Sequence, residues 1–192
     1  GVQVQAVLKK AAGLDIETIC SLHGPILHKE QLADVLAVYD TWSAYRPETD
    51  GILVAYTSIY GHTADAAEQL AEELRTKGQQ VVVMDLARCD MAEAVAQAFR
   101  FSKLVLATPT YNADVFPFMK EFIHHLTERN YQNRTVAFIE NGSWAPMAAK
   151  VMTKMLEGSK NLTYAATTVT VRGALNAASE AQLAALADEL SR

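Results

Sequence analysis

The sequence predicts an α/β domain: five parallel strands with helices on both faces, starting at residue 52, preceded by a smaller helix-strand-helix appendage. Three observations carry this. From residue 52 near-continuous apolar runs of strand length alternate with amphipathic helical stretches, the pattern of a parallel sheet covered on both sides. Three loops that leave the carboxyl ends of those strands are rich in hydroxyl, amide and turn residues. And 192 residues leave room for one ordinary domain plus an appendage.

Residues 1–12 place Val4, Val7, Leu8 and Ala11 at helical spacing, with Gly13 where a C′ glycine would end a helix. Leu14 to Cys20 reads as a short strand, and Ser21 to Leu27, through Gly24-Pro25, as a turn. Leu32, Val35, Leu36, Tyr39 and Trp42 form a second helical stripe, closed by the polar breaker Arg46 to Gly51. Under about 50 residues, such a segment cannot build a core of its own. We therefore divide the chain into 1–46, a linker 47–51 and a domain 52–192.

In that domain the strands are 52–57, 80–85, 103–108, 134–140 and one within 163–171. The helices are 63–77, 90–99, 117–129, 146–157 and 178–190. In the first helix Thr63, Ala67, Leu70, Ala71 and Leu74 make one apolar face. Gly78 is expected to cap it, and Glu73 with Lys77 to form an i,i+4 pair.

Composition narrows the function. The net charge of −5 disfavours nucleic acid and anionic membranes as partners, and no run approaches the roughly 20 apolar residues of a membrane span. The N-terminus lacks the basic and apolar regions of a signal peptide. Cys20 and Cys89 are the only cysteines, which gives neither a disulfide framework nor a C-x-x-C motif. The expected compartment is the cytoplasm.

The stretch Thr57-Ser58-Ile59-Tyr60-Gly61-His62-Thr63 joins the first domain strand to its helix. The N–H groups of a helix's first turn lack intrahelical partners, and the helix dipole there favours an anion. It contains no Gly-Lys-Ser/Thr and no G-x-G-x-x-G, so neither a triphosphate loop nor a dinucleotide turn is expected. It also has no cysteine and arginine to act as a phosphatase. A terminal monophosphate held by neutral donors fits; an ordinary strand-helix turn capped by Thr63 is the alternative that these residues leave open. Two further loops, Thr108-Pro109-Thr110-Tyr111-Asn112 and Glu140-Asn141-Gly142-Ser143-Trp144, each carry one aromatic residue among small polar ones. Tyr111 and Trp144 converging on the phosphate would flank a flat heterocycle, with amides reading its edge.

These three loops resemble the FMN-contacting loops of flavodoxin-like domains, whose strand order is 2-1-3-4-5. The whole chain, including Leu22-His23-Gly24-Pro25, Tyr39 and Trp42, resembles the C-terminal part of flavodiiron proteins, in which a metallo-β-lactamase-like di-iron domain precedes a flavodoxin domain. The resemblance implies a cofactor site of Ser58, Ile59, Tyr60, Gly61, His62, Thr63, Pro109, Thr110, Tyr111, Asn112, Asn141, Gly142, Ser143 and Trp144, with FMN bound non-covalently. It marks His23 as an iron ligand and residues 1–46 as a remnant of the di-iron domain. It implies rubredoxin or a flavin reductase as electron donor, a homodimer for the parent protein, and reduction of dioxygen or nitric oxide at the di-iron site. The family's H-x-E-x-D-H cluster does not occur here, and one histidine cannot hold two irons. The chain is therefore expected to be a piece beginning near the end of the di-iron domain, an electron carrier with no catalytic side chain of its own.

Two rival functions are a flavodoxin-fold NAD(P)H-dependent quinone reductase using FMN, and a non-catalytic module that has lost its cofactor. Glu121 to His124 has E-x-x-H spacing but occurs once, so no metal is expected there. Cys89 is expected to be an inert thiol.

Overall fold

A computed structural model describes all residues, Gly1–Arg192. The chain divides into two compact units, Gly1–Glu48 and Thr49–Arg192.

The first unit contains α1 (Val2–Ala11), β1 (Thr18–Cys20), β2 (Ile26–His28) and α2 (Lys29–Ser43). It is a helix-hairpin-helix rather than the expected helix-strand-helix. β1 and β2 pair antiparallel, and Gly24 at φ +132° turns the chain between them. Strands of three residues leave no readable alternation, which is why β2 was hidden inside an expected turn. Gly13 has no positive φ; α1 ends instead at Ala12 in a right-handed conformation. Polar ties hold α1 to α2: Gln5 Nε2 donates to Asp40 Oδ1 at 2.8 Å and to Ser43 Oγ at 2.8 Å. Within the unit only Leu32 and Ser43 are buried, while Val2, Val7, Leu14, Leu22, Ile26 and Trp42 are exposed.

The second unit is β3 (Thr49–Tyr56), α3 (His62–Thr76), β4 (Val81–Asp85), α4 (Met91–Arg100), β5 (Phe101–Tyr111), β6 (Asp114–Val115), α5 (Pro117–Glu128), β7 (Thr135–Asn141), α6 (Ala148–Met155), β8 (Thr163–Val171) and α7 (Ala177–Leu190). The hydrogen-bonded order is β4-β3-β5-β7-β8, all parallel. A sixth strand, β6, not expected from the sequence, pairs antiparallel with the end of β5. The turn between them is Asn112-Ala113, both left-handed at φ 52° and 59°. Such two-residue turns match strand twist, but they are signalled in sequence by glycine, and an alanine hides this one. β3 starts at Thr49, so residues 49–51, expected in a linker, belong to the sheet.

Alternation along each strand builds two cores. Leu53, Leu104, Leu106, Val136 and Phe138 face α4, α5 and α6, where Ala98, Phe122, Ile123, Leu126 and Met152 meet them. Ile52, Val54, Val105, Ala137, Ile139 and Val169 face α3 and α7, where Leu70, Leu74, Leu183, Leu186 and Leu190 meet them. Burying the sheet on both sides removes any polar alternation, hence the continuous apolar runs. The expected apolar face of α3 is buried throughout. α3 ends with Gly78 at φ +80°, its N–H on Arg75 O and that of Gln79 on Leu74 O, a Schellman closure. Lys77, however, pairs with Asp188 of α7 at 2.6 Å rather than with Glu73. No helix is long and apolar enough to cross a membrane.

Candidate functional site

Strand order reverses between β3 and β5, and in an open parallel sheet the crevice beyond the strand ends at such a point is where ligands bind. A cleft lies there, lined by Ser58, Ile59, Tyr60, His62, Thr63, Pro109, Thr110, Asn141, Gly142, Ser143 and Gly173. Ten of the residues singled out in the sequence thus share one cleft.

The floor is tied by the buried hydroxyls of Thr57 and Thr108, 2.7 Å apart at the ends of β3 and β5. Gly61 is the N-cap of α3 at φ +95°, a conformation that a side chain disfavours. Asp65 is the first residue of α3 whose N–H is taken, by Gly61 O at 2.9 Å, so those of His62, Thr63 and Ala64 are offered at the helix end. Gly142 lets the third loop close on the second: a Cβ there would stand 3.1 Å from Pro146 Cα and 3.3 Å from Thr110 Oγ1.

Three hydroxyls of the cleft share one arrangement. Ser58 Oγ accepts from the Gly61 N–H at 3.1 Å, Thr110 Oγ1 from the Met147 N–H at 3.0 Å, and Thr63 Oγ1 from Asn141 Nδ2 at 3.3 Å. Each oxygen already accepts one hydrogen bond from the protein, which keeps its own proton off that side and free to be donated elsewhere. No lysine or arginine lines the cleft. The chemistry is that of a neutral, all-donor cradle, suited to a group rich in acceptor oxygens.

Tyr111 is 47% exposed, packs edge-on against Phe116 with centroids 5.3 Å apart, and with Asn112 lines a neighbouring groove shared with Lys120, Glu121 and His124. Trp144 is 93% exposed and lines neither the cleft nor that groove, whereas Tyr60, 87% exposed, is part of the cleft lining. Asn141, part of the cleft lining, is buried and also tied within the protein: besides Thr63, its Nδ2 donates to Gly173 O at 3.0 Å and its Oδ1 accepts from Gly173 N at 3.1 Å. Gly173, at φ +87° after β8, lines the cleft and was not singled out in the sequence. Its only sequence signal is its place just past a strand's carboxyl end.

Glu140, beside Asn141 on β7, faces the other way, accepting from Ala149 N at 3.1 Å and from the Thr170 hydroxyl at 3.0 Å. His62 Nδ1 stands 3.7 Å from Asp65 Oδ2. His23 lies exposed between β1 and β2, and no group of three or more His, Cys, Asp or Glu side chains is placed to hold a metal. Glu121 and His124 each turn to other partners on α5, His125 and Glu128. Burial pushes the Cys89 thiol up, which keeps it protonated.

The family profile described as Flavodoxin matches residues 54–184. The chain is 24% identical over 182 residues to the rubredoxin-oxygen oxidoreductase of Megalodesulfovibrio gigas, covering 94% of itself and 45% of that protein. It is 23% identical over 159 residues to the anaerobic nitric oxide reductase flavorubredoxin of Aeromonas hydrophila subsp. hydrophila, covering 80% of itself and 32% of the relative. The solved rubredoxin oxygen:oxidoreductase from Desulfovibrio gigas superposes with a TM-score of 0.91 at 23% identity, over 100% of this chain and 48% of that one. The flavodiiron protein from Giardia intestinalis does so with a TM-score of 0.83 at 19% identity, over 98% and 47%. The chain thus spans less than half the length of these relatives. With its sheet, its cleft and a profile match across most of its length, the chain belongs to the flavodoxin family, and its homologues are flavodiiron proteins.

Proposed function

We propose that the unit 49–192 binds FMN non-covalently and serves as the electron-transfer domain of a flavodiiron oxidoreductase. The observation that carries this is the cleft shared by Ser58, Thr63 and Thr110, three hydroxyls that each already accept one protein hydrogen bond, with the open N–H groups of the α3 N-terminus beside Ser58 and Thr63. Such a cradle suits the 5′-phosphate of FMN, with no charged side chain needed. In this reading the parallel strands follow the order 2-1-3-4-5. The isoalloxazine lies between the exposed rings of Trp144 and Tyr60 and the hairpin carrying Tyr111 and Asn112. FMN when bound supplies one- and two-electron chemistry; the protein binds it, orients it and sets its electrostatics.

The names of the relatives support a wider assignment for the whole protein: reduction of dioxygen or nitric oxide, with electrons from a rubredoxin. A flavin reductase as alternative donor, a homodimer and a cytoplasmic location belong to the same reading. Residues 1–46 would then be the end of the preceding metallo-β-lactamase-like domain, and His23 one ligand of its di-iron site.

The test is titration of flavin-free chain with FMN, riboflavin and FAD, followed by visible absorption and flavin emission. FMN is expected to bind tightest. FAD binds worse, because a cradle closed around a terminal phosphate leaves no exit for an adenylate. Equal affinities for FMN and riboflavin would overturn the reading.

A further inference from the structure

Of the three donor hydroxyls, Ser58 and Thr110 are set by backbone N–H groups, whereas Thr63 is set by a side chain, Asn141. Thr63 is 2% exposed and Asn141 8%, so neither group turns to water. The orientation of the Asn141 amide is fixed by Gly173. Its Oδ1 takes the Gly173 N–H at 3.1 Å and its Nδ2 gives to the Gly173 carbonyl at 3.0 Å. Flipping the amide would set oxygen against carbonyl and N–H against N–H, so the network admits one assignment. The second Nδ2 hydrogen is thereby directed at Thr63 Oγ1.

We propose that Asn141 is a positioning residue for specificity: by donating to Thr63 Oγ1 it bars the Thr63 hydroxyl proton from its own side, turns it toward the cleft, and so raises the preference for a phosphorylated ligand. The proposal rests on reading the cleft as the FMN phosphate site. An Oγ1 free to rotate can offer either a proton or a lone pair. Only the proton favours an anion, and a lone pair facing phosphate oxygens repels them. Because Asn141 also holds Gly173, its loss would loosen the loop after β8 as well. A structural role of that kind weakens riboflavin and FMN together, whereas the positioning role shows only in their ratio.

The experiment is a double-mutant cycle read as the ratio of riboflavin to FMN dissociation constants. Wild type, Asn141→Ala, Thr63→Val and the double variant are titrated with both flavins. A hydrogen bond to a charged group suggests that Asn141→Ala lowers the ratio about tenfold. In the Thr63→Val background the same change is expected to leave the ratio where Thr63→Val alone put it. If Asn141→Ala does not fold, Asn141→Asp carries the cycle. It is nearly isosteric and keeps the acceptor for Gly173 N–H. Its added charge acts in both backgrounds, so the difference between backgrounds isolates the part that passes through Thr63. An unchanged ratio, or an equal fall in both backgrounds, overturns the proposal while FMN binding stands. A wild-type ratio near one overturns the phosphate reading itself.

Discussion

Thr57 Oγ1 and Thr108 Oγ1 meet at 2.7 Å beneath the cleft, both side chains out of contact with water. They join the carboxyl ends of the two strands between which the sheet changes direction. Replacing Thr57 by Val removes one partner and leaves the other in an apolar setting, with only the Pro109 carbonyl at 3.4 Å to turn to. The expected loss is about 1–2 kcal/mol in denaturant unfolding. The double change, Thr57→Val with Thr108→Val, is expected to cost less than the sum of the two singles.

Trp144 separates binding from folding. With 93% of its surface exposed it contributes little to the unliganded fold, so Trp144→Ala should leave the thermal midpoint unchanged. If the tryptophan covers the isoalloxazine, the same substitution weakens FMN by about 1 kcal/mol and restores part of the quenched flavin emission. Unchanged affinity and emission would place the ring elsewhere.

The hairpin turn Asn112-Ala113 stores strain beside the site. Ala113 holds φ 59°, a region where a Cβ costs roughly 1 kcal/mol and glycine is unstrained. Ala113→Gly is expected to raise stability by up to about 1 kcal/mol, against the usual direction of a glycine substitution. A lower melting temperature would contradict this.

Asp50 sets an acid limb of stability. The Ser102 hydroxyl at 2.6 Å, and then Lys103 at 3.1 Å, hold its carboxyl below the ordinary 3.8. A carboxyl depressed in the folded state stabilises at pH values above its unfolded value, and that stabilisation is lost as pH falls through the folded one. Wild type should therefore exceed Asp50→Asn in stability at pH 6. The gap should close as the pH drops below 3.8, measured by urea midpoints across the range.

This chain is expected to retain no stoichiometric iron after anaerobic incubation with ferrous ion and desalting. His23 offers one imidazole, and no three ligand side chains come together. His23→Ala should leave FMN affinity unchanged. Retained iron, with sustained conversion of nitric oxide under photoreduced flavin, would contradict the electron-carrier role.

The sheet was legible because burial on both faces forces continuous apolar runs, and α3 because its apolar spacing is regular from Thr63 to Leu74. The hydroxyl loop was legible because strand, Gly61 and helix follow one another in sequence. What lay hidden depended on partners distant in the chain. That the Asn141 amide holds Thr63 and Gly173, 78 and 32 residues away, shows only in the fold. Lys77 reads as a partner of Glu73 until α7 brings Asp188 within reach. β2 and β6 are too short to show a period, and an alanine at φ 59° gives no glycine to mark the turn before β6.

The cleft meets its ligand with dipoles and without a lysine or arginine. Oriented N–H and O–H groups attract a dianion but leave its net charge standing. An electron added to the same ligand then arrives against that charge, in a site of lower dielectric than water. Compared with a cradle that neutralises the charge with a lysine or arginine, one of this kind therefore gives what it holds a lower electron affinity and makes its reduced form a more willing donor. Placing a lysine at the rim should reverse the effect, trading driving force for tighter binding.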